Sequence, residues 1–503
     1  MTAASVESVP SETTMPTDNS SSPAEEIIII GAGPAGLTAG VELIRRGRRI
    51  RVLEADPEYV GGIARTAKFG NYRLDIGGHR FYSKSEEIEK WWHQILPNDF
   101  LERPRKSRIY YRKHFLEYPL QAMDAYKKMG FWFSFTAVLG HLHRKVFPIR
   151  PERSLRDWVT NRFGDKLFHT FFESYTEKVW GIKCTEISAD WAAQRIQGLS
   201  IPKIILRMIL PKGTGPNVKT LIDKFHYPRL GCGMVWERAT EMINEAGSSV
   251  DLDRKVTRIT LRDNRVADIT CVDGAGVARE YPCTHLISSM PLRELVEAFG
   301  DQAPANVAAA AKKLKYRDFI TVGLVVKKND CFPDNWIYIH DPEVKLGRIQ
   351  NFKNWSPEMV PDPGITFLGL EYFCFEGDGL WTMKDEDLVK LGRKEIEQIG
   401  LVAQSDVTDG CVVRMPKAYP IYDDDYKAAV AEIRDWLKTI PNIWSAGRNA
   451  MHQYNNQDHS MLTALISAHN LMGTDQRDPW MVNHNAEYIE ERRVPRRMEP
   501  TAS

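Results

Sequence analysis

"EEIIIIGAGPAGLTAGVELIRRGRRIRVLEAD", residues 25–56, carries the pattern of a nucleotide-binding β-α-β unit. The continuous apolar run 27–30 is typical of a parallel strand that is buried on both faces. Leu37, Val41 and Ile44 then recur at helical spacing, and "RIRVLEA" (49–55) supplies a second strand. The stretch therefore predicts an α/β fold built on a Rossmann-like parallel sheet.

The glycines between this strand and this helix indicate a dinucleotide site. Gly31, Gly33 and Gly36 stand at G-x-G-x-x-G spacing, which brings a pyrophosphate to the N–H groups and positive dipole of a helix N-terminus. Glu54 ends the second strand, where a carboxylate accepts hydrogen bonds from ribose hydroxyls. The glycine pattern alone would also fit a tight turn, but strand, helix and glutamate together favour the dinucleotide.

The residues that follow favour FAD over NAD. "GGIARTAKFGNYRLDIGGH" (61–79) adds a second glycine pair, Gly61 and Gly62, followed by Arg65. This arrangement suits a flavin dinucleotide that stays bound. The other glycine-rich stretch, "DGAGVARE" (273–280), lies between two strand-like runs and predicts a hairpin turn. With no second nucleotide unit and no C-x-x-C pair, a two-nucleotide reductase and a disulfide reductase are disfavoured.

Composition restricts the partners and the compartment. Lys+Arg 67 against Asp+Glu 66 leaves a formal charge of +1, so overall charge does not attract nucleic acid or an anionic membrane. The seven cysteines contain no C-x-x-C, which favours a reducing compartment and predicts no metal site. The first 25 residues lack the apolar core of a signal peptide. We therefore expect a cytoplasmic protein, and its oligomeric state stays open.

The most apolar stretch is "MGFWFSFTAVLGHL" (129–142). It is too short to cross a bilayer, which needs about 20 apolar residues, so no stable membrane insertion is expected. We predict a helix that packs on other helices, with a helix on a membrane surface as the lesser alternative.

Composition and periodicity also predict how the chain is divided. The 503 residues exceed one ordinary core, so two or three units are expected. Strand-like runs "LISSMP" (286–291) and "NIWSAG" (442–447) are predicted to join the nucleotide sheet, so both chain ends build one domain. The predicted units are a disordered tail 1–25, an FAD domain 26–95 with 226–291 and 440–475, a helical subdomain 96–225, an antiparallel-sheet substrate subdomain 292–439, and a tail 476–503.

Several motifs along the chain resemble those of the UDP-galactopyranose mutases, especially the longer eukaryotic-type enzymes. They are "DIGGH" (75–79), "KVWGIKCTEISADWAAQR" (178–195), "GPN" (215–217), "AYP" (418–420) and "NQDHS" (456–460). The resemblance covers residues 26–475 and places the chain near the FAD-dependent amine oxidase and protoporphyrinogen oxidase-like superfamily. It implies a GR2-type FAD domain with an inserted helical subdomain and an antiparallel sheet for the substrate.

The resemblance also implies a reaction. In these mutases the N5 atom of reduced flavin attacks the anomeric carbon of a UDP-sugar and displaces UDP. The flavin–sugar adduct opens and recloses as a furanose, after which UDP returns, so covalent catalysis replaces one hard displacement by easier steps. The implied cofactors are FAD in its reduced form and NADPH as the reductant, and the implied partner is a UDP-sugar.

The resemblance assigns roles to residues of this chain. Gly77 and Gly78 would let backbone carbonyls approach flavin N5, with His79 beside the ring, although a core histidine next to a glycine bend has the same pattern. Arg195 and Arg348 would clamp the diphosphate, although structural salt bridges are the ordinary role of arginine. The candidate catalytic residues are His79, Arg195 and Arg348.

The remaining candidates bind the cofactor or the substrate. Those for the flavin, from the nucleotide motif and the resemblance together, are Gly31, Gly33, Gly36, Glu54, Gly61, Gly62, Arg65, Gly77, Gly78, Val256, Gly447, Arg448, Gln457, Asp458 and Ser460. Those for the uracil, sugar and diphosphate are Tyr118, Gln121, Trp180, Asn217, Tyr338, Tyr419 and Tyr454.

Three functions remain in competition. A nucleotide-sugar mutase accounts for the arginines, the asparagine and the tyrosines. A flavin oxidase or dehydrogenase acting on an amine, a porphyrinogen or a polyene would need an apolar substrate tunnel. It would have no need for these arginines, the asparagine and the tyrosines. A flavin-binding protein without catalysis would have no reason to keep His79 at the flavin. The motifs do not identify the sugar, because galactose epimers differ by a single hydroxyl.

Overall fold

The apolar run near the N-terminus forms the central strand of a parallel sheet. The computed structural model describes residues 25–189 and 224–482. Ile27–Ile30 is buried along its whole length and pairs in parallel with Ile50–Leu53 on one side and His285–Ser288 on the other. A second large sheet, which is mainly antiparallel, has seven strands. The predicted α/β class with a Rossmann-like domain and an antiparallel-sheet unit is confirmed.

The strands of the described residues, in chain order, are β1 (Ile27–Ile30), β2 (Ile50–Leu53), β3 (Thr66–Phe69), β4 (Tyr72–Asp75), β5 (Phe100–Pro104), β6 (Ser107–Tyr111), β7 (His114–Glu117), β8 (Lys224–Pro228), β9 (Ser249–Asp251), β10 (Lys255–Arg262), β11 (Arg265–Val272), β12 (Ala278–Pro282), β13 (His285–Ser288), β14 (Tyr316–Val326), β15 (Trp336–Ile339), β16 (Arg348–Asn351), β17 (Thr366–Cys374), β18 (Val407–Pro420) and β19 (Ile443–Ser445).

The α-helices of the same residues are α1 (Pro34–Arg45), α2 (Glu86–Ile95), α3 (Ala122–Val146), α4 (Leu155–Phe163), α5 (Asp165–Leu167), α6 (Ser174–Trp180), α7 (Gly233–Glu245), α8 (Leu292–Ala298), α9 (Ala305–Lys313), α10 (Phe352–Trp355), α11 (Asp385–Gln398), α12 (Tyr426–Leu437) and α13 (Gln457–Leu471). A π-helical stretch, Phe168–Glu173, joins α5 to α6. No helix among them is both long enough and apolar enough to cross a membrane.

The parallel sheet has the order β19-β13-β1-β2-β9 and draws its strands from three distant parts of the chain. The predicted strands at 286–291 and 442–447 both join it, as β13 and β19. One hydrophobic core, which includes residues of α1, α7 and α13, covers one face of β1 through Ile27 and Ile29. A second core, with residues of α8, α9, α12 and the β10-β11-β12 sheet, covers the other face through Ile28 and Ile30.

The second large sheet has the order β18-β14-β17-β16-β15-β6-β7. Its neighbours are antiparallel except β15 and β6, which run in parallel. Every residue of β14 and β17 is buried, because this part of the sheet lies inside the protein. The sequence predicts strands from the apolar runs 319–326, 336–340, 347–352 and 365–375, and these are confirmed as β14 to β17. It also predicts a hairpin at 255–274, which is confirmed as β10 and β11.

Two of the predicted ranges differ from the structure. Residues 100–117, placed in the helical subdomain 96–225, form β5, β6 and β7, because the exposed edge of β15 offers "SRIYY" (107–111) a partner strand. Helices predominate only from Ala122 onward. At the other end, residues 478–482 do not behave as a tail, since Trp480 is buried against the core that covers β13.

Candidate active site

A long groove crosses the carboxyl ends of β1 and β2 and continues to β18 of the antiparallel sheet. Parallel strands end there in loops, and such edges are where doubly wound sheets bind ligands. Ten of the predicted flavin-binding or catalytic residues line it, namely Gly31, Gly33, Glu54, Gly62, His79, Val256, Gly447, Arg448, Gln457 and Ser460.

The glycines of the nucleotide loop have separate structural reasons. A Cβ atom on Gly36 would lie 1.8 Å from the carbonyl oxygen of Gly31, so only glycine lets α1 pack this closely on β1. Gly33 has an ordinary backbone conformation with φ −80°. A Cβ there would point toward the Cα of Gly62, 3.9 Å away. Gly33 and Gly62 therefore face each other, which leaves room in the groove for a pyrophosphate beside the N-terminus of α1.

Glu54 lines the groove directly after β2. Its carboxylate accepts hydrogen bonds from the backbone N–H groups of Ala32 (2.6 Å) and Asp56 (2.9 Å). Burial raises the pKa of Glu54, and these two hydrogen bonds oppose that shift. Each carboxylate oxygen still has acceptor capacity for a ribose hydroxyl. Arg65, by contrast, pairs with Asp56 and does not line the groove.

The N-terminus of α13 also borders the groove. Asn456 caps this helix of 15 residues, and Gln457 and Ser460 line the groove. Both polar atoms of the Gln457 amide are buried without a hydrogen-bond partner in the described protein. Asp458 points elsewhere and accepts a hydrogen bond from the Ser83 hydroxyl at 2.7 Å. A helix N-terminus at this place favours negative charge on a bound ligand.

The glycine pair before His79 packs closely against neighbouring side chains. Gly77 has φ +92°, a conformation that other residues rarely adopt. A Cβ atom on Gly78 would lie 3.2 Å from the buried ring of Trp355 and 3.1 Å from the Gln350 amide nitrogen. Neither Gly77 nor Gly78 lines the groove, and their loop carries the next residue, His79, into it.

His79 is a neutral imidazole at neutral pH. Its Nε2 lies 2.9 Å from the carbonyl oxygen of Ile76, which can only accept, so Nε2–H donates. Burial lowers the pKa of His79 to about 4, and the nearby charges of Arg448 and Arg348 act in the same direction. A neutral ring in the groove can accept a hydrogen bond, but it does not add a positive charge there.

Arg348 belongs to a row of side chains that three neighbouring strands hold in register. Tyr338 on β15 is paired with Arg348 on β16, which is paired with Glu371 on β17. The Arg348 Nε donates to the Glu371 carboxylate at 2.5 Å, and the Gln350 amide donates to the other oxygen at 2.8 Å. Glu371 is fully buried, whereas the Arg348 side chain keeps 17% of its surface exposed.

The predicted substrate-binding aromatic residues converge on this row. Tyr118 contacts Tyr338 with ring centroids 5.1 Å apart. Tyr419 stacks on Tyr454 at 5.6 Å, and Trp180 lies 5.8 Å from Tyr454. We call the set Tyr118, Trp180, Tyr338, Arg348, Tyr419 and Tyr454 the arginine–tyrosine cluster. Arg448 lies over Tyr419 and Tyr454 and also lines the groove, so the two regions are adjacent.

The structure adds three residues that the motifs did not indicate. Tyr175 lies 5.7 Å from the ring of Tyr338. Arg105 lies over the ring of Tyr118 at 5.5 Å, and both Arg105 and Arg80 lie over Trp336. Burial lowers the pKa of Arg80 to about 10, and the charge of Arg105 adds to this effect. The only sequence signal for Arg80 is its position directly after His79.

Other candidates lie apart from the two regions or outside the described residues. Gln121 is exposed at the N-cap of α3. Gly61 has φ +96° and donates its N–H to the Ala32 carbonyl. Arg195 and Asn217 lie outside the described residues.

One possible metal-ligand group lies away from the groove. A ligand atom from each of Glu89, His93 and His226 lies within 4.8 Å of the others. The Glu89 carboxylate already accepts a hydrogen bond from the Ser83 N–H at 2.6 Å. The sequence prediction of no metal site rested on cysteine spacing. It did not include this group, because Glu89 and His93 on α2 are far in sequence from His226 on β8.

Residues 34–456 match the model of the family described as flavin containing amine oxidoreductase. The match covers most of the chain, begins directly after Gly33 of the dinucleotide loop and includes the cluster. This chain belongs to the flavin-containing amine oxidoreductases. Membership of this enzyme family implies a flavin cofactor, FAD. The groove at the dinucleotide loop is therefore the candidate FAD site.

Solved structures with a similar fold cover most of this chain. A crystal structure of reduced UDP-galactopyranose mutase superposes with a TM-score of 0.77 at 21% identity, covering 92% of this chain and 98% of that one. A putative protoporphyrinogen oxidase from Exiguobacterium sp. 255-15 gives 0.67 at 17% identity, covering 90% and 98%. At these identities the likeness shows the fold alone.

Curated relatives match only short segments. A 1-hydroxycarotenoid 3,4-desaturase from Flavobacterium sp. (strain P99-3) is 33% identical over 90 residues, 17% of this chain and 18% of its own. A phytoene dehydrogenase from Streptomyces griseus is 38% identical over 55 residues, 11% of each chain. The chain thus spans less than a fifth of the length of these relatives.

The groove fits the FAD of this family. Gly33 and Gly62 keep side chains away from the pyrophosphate position, and Glu54 lines the groove directly after β2. The unpartnered Gln457 amide and the N-terminus of α13 would offer hydrogen-bond donors to the polar edge of a flavin. The groove therefore offers the polar groups that the two halves of FAD need.

Proposed function

We propose that this protein is a flavin-dependent nucleotide-sugar mutase that interconverts the pyranose and furanose forms of UDP-galactose or a related UDP-sugar. The observation that carries the proposal is the composition of the arginine–tyrosine cluster. Arg348 lies among tyrosines beside the groove, with Arg80 and Arg105 grouped around Tyr118 and Trp336. Positive charges collected in one place favour a polyanionic ligand such as a diphosphate.

Arg348 is positioned to hold that diphosphate. The Glu371 carboxylate fixes the Nε side of the guanidinium, and the Gln350 amide satisfies the second oxygen of Glu371. The guanidinium is planar and presents its donors as a fork that matches phosphate oxygens. Holding the departing UDP while the anomeric bond breaks and re-forms keeps it in place for its return, which turns a bimolecular step into a local one.

Aromatic side chains complete the proposed substrate site. Tyr338, Tyr419 and Tyr454 offer hydroxyl donors to phosphate oxygens. Trp180, which contacts the rings of Tyr419 and Tyr454, supplies an apolar face for the sugar. Tyr118 is the proposed stacking partner of the uracil. Arg195 and Asn217 keep their proposed roles from the sequence, on the second side of the diphosphate and on the uracil.

When bound and reduced, FAD supplies the nucleophile that attacks the anomeric carbon in this chemistry. The chain contributes the neutral ring of His79, held by its hydrogen bond to Ile76 and carried by the Gly77–Gly78 turn. We propose that NADPH serves only to reduce the protein initially, because interconversion of two ring forms has no net redox change.

A direct assay tests the proposal. Dithionite-reduced protein is incubated with UDP-galactopyranose, and the nucleotide sugars are separated by anion-exchange chromatography. We expect a UDP-galactofuranose peak that grows to equilibrium without stoichiometric consumption of reductant. Failure of the wild-type protein to bind UDP while it retains its flavin would refute the proposal.

The second candidate is an FAD-dependent oxidoreductase acting on an apolar or amine substrate. It is favoured by the likeness of short segments to carotenoid desaturases. This candidate expects oxygen or NADPH consumption in proportion to product formed, and it gives no reason for UDP affinity. Measuring both quantities in the same reaction distinguishes the two functions.

A further inference from the structure

The second part of α3 exposes a continuous apolar face. Gly130 has φ +85° and interrupts the helix, so residues 131–146 form a separate straight segment. Seven of its large apolar side chains are exposed, with Trp132 at 73% and Val146 at 68%. At about 100° per residue they fall within a ~120° arc. We call this outer face the α3 stripe; its members are Phe131, Trp132, Phe135, Val138, Leu139, Leu142 and Val146.

The opposite face of the same helix is already packed against the protein. Phe133 belongs to the small core of Ile109, Leu116 and Phe171, and Ala137 and His141 are buried. The helix is therefore apolar on both sides. A helix with this pattern is normally covered all round, whereas an ordinary surface helix has a polar outer face. A patch of this kind marks an interaction site with another apolar phase or molecule.

The stripe contains solvent-exposed aromatic rings that contact one another. Phe131 stacks on Phe135 with centroids 5.8 Å apart, and Trp132 contacts both of them. Tryptophan and phenylalanine on one face of a helix are typical of segments that lie in the headgroup region of a bilayer. The segment is about 24 Å long, and it belongs to a helix that is not apolar enough to span.

The charges around the stripe determine which occupant fits. Residues 122–150 contain Lys127, Lys128, Arg144, Lys145 and Arg150 but only one acidic residue, Asp124. Asp124 is paired with Lys128, and Arg144 is paired with Asp165. Lys127, Lys145 and Arg150 are exposed beside the stripe. The stretch of chain that carries the apolar face is thus positive, which attracts anionic lipid headgroups.

The same charges disfavour two other occupants. A second copy of the chain would bring one basic face against another, and like charges oppose such a symmetric contact. The chain's own residues 190–223, which lie outside the described residues, contain five basic residues and only two acidic ones. They are therefore also positive and lack the complementary charge.

We propose that the α3 stripe docks this protein on an anionic lipid surface, with the helix lying in the plane of the headgroups. The apolar face would enter the boundary between headgroups and acyl chains, and Lys127, Lys145 and Arg150 would contact the headgroups. This inference is independent of the proposed reaction, because it concerns a surface that both candidate functions share.

Vesicle co-sedimentation of the full-length flavin-loaded protein tests the proposal. One set of vesicles consists of phosphatidylcholine alone, and the other of an equimolar mixture of phosphatidylcholine and phosphatidylglycerol. We expect the protein to sediment with the mixed vesicles and to remain largely in solution with the neutral ones. Raising the salt concentration should release a large part of the bound protein, because exposed charges are screened.

A double variant tests the stripe itself. Trp132→Ser/Phe135→Ser is expected to lower the vesicle partition coefficient at least about tenfold, because two inserted aromatic side chains are lost. The matched control is Val277→Ser/Met481→Ser, which removes two exposed apolar side chains elsewhere and should leave partition unchanged. Circular dichroism and flavin content show that each variant is folded.

A charge variant tests the lipid preference. Lys127→Gln/Lys145→Gln/Arg150→Gln should reduce binding to the mixed vesicles by about tenfold or more, whereas Lys312→Gln, an exposed lysine on α9, should not. The proposal is overturned if wild type stays in solution with both vesicle types, or if the stripe variant binds as well as wild type. It is also overturned if ultracentrifugation without lipid shows a dimer that the stripe variant abolishes, because the occupant is then a second copy.

Discussion

The flavin groove and the arginine–tyrosine cluster are adjacent but are built in opposite ways. The groove is shaped mainly by backbone: Gly31, Gly33 and Gly62 provide space, and the N-termini of α1 and α13 provide N–H groups. The cluster is shaped by side chains such as Arg348 and Tyr338, which strands in register hold together. The groove should therefore respond to added volume, and the cluster to the loss of specific polar atoms.

A related difference concerns partners within the protein. The Gln457 amide in the groove is buried without a partner, so this part of the groove is satisfied only by a ligand. In the cluster, Arg348 already has the Glu371 carboxylate. A substitution in the cluster therefore changes folding stability and ligand binding together, and the variants have to separate the two.

The largest effect is expected for Gly33→Val. The backbone at residue 33 allows valine, and the new side chain would point across the groove toward Gly62. We expect the flavin content of the purified protein to fall more than about tenfold, with the fold retained, because the side chain occupies the pyrophosphate space. Absorbance at the flavin band per mole of protein measures this.

The control for that substitution is Gly379→Val. Gly379 is exposed, and a Cβ atom there would have nothing within 4 Å. It should bind flavin like wild type. Full flavin retention in Gly33→Val would show that the groove is not the FAD site.

The next largest effect is expected for Arg348→Lys. Lysine keeps a charge near Glu371 but not the planar fork, so UDP binding to the reduced protein should weaken about ten- to hundredfold. Flavin content should stay unchanged. Calorimetric titration with UDP measures the affinity, and Arg195→Ala is expected to lower it as well.

Arg348→Ala would be harder to interpret. It leaves the buried Glu371 without its cation, at a cost of about 3–5 kcal/mol in folding stability, so its melting temperature would fall under either function. The matched control for Arg348→Lys is Arg108→Lys, because Arg108 on β6 pairs with Asp334, which is as buried as Glu371. If both lysine variants keep wild-type UDP affinity, Arg348 is a structural residue.

A smaller effect is expected from His79 at acid pH. Its pKa is about 4 in the folded protein against 6.5 for a free histidine, with burial as the main cause. Between these values the unfolded chain takes up a proton that the folded protein does not. Above pH 6.5 the His79 side chain therefore does not change the free energy of unfolding with pH. As the pH falls from 6.5 toward 4, it lowers the free energy of unfolding by up to about 1.4 kcal/mol per pH unit.

His79→Gln removes this titration, so its melting temperature should fall less between pH 6.5 and 4 than that of wild type. His143→Gln replaces an exposed histidine on α3 and serves as the control, which should follow wild type. Equal slopes for all three proteins would mean that His79 titrates normally and is not shielded in the groove.

The smallest effect is expected for Tyr338→Phe. Loss of one neutral hydroxyl donor costs about 1 kcal/mol, which is roughly fivefold in UDP affinity. Tyr110→Phe is the control, because Tyr110 on the neighbouring strand β6 packs into the core of the large sheet. No difference between the two variants would remove Tyr338 from the proposed phosphate contacts.

Short-range patterns predicted the part of the groove formed by β1, α1 and β2 because these elements are close in sequence. The spacing of Gly31, Gly33 and Gly36, and the glutamate at the end of β2, follow from the geometry of one β-α-β unit. The strands β13 to β17 and β19 were visible from apolar runs. The strands β5 to β7 were missed: β5 and β6 pair with β8 and β15, which come more than a hundred residues later, and β7 joins the sheet only through β6.

By itself, the sequence determined the fold class, the dinucleotide loop and the wider flavin-containing amine oxidoreductase family, because these depend on local spacing and on motifs. Only the tertiary structure decided that Tyr338, Arg348 and Glu371 form one row, that Arg80 and Arg105 join it, and that the inner face of α3 is packed while the outer face is open. The physical reason is that strand register and helix orientation bring distant side chains together, and neither is encoded in the spacing of neighbouring residues.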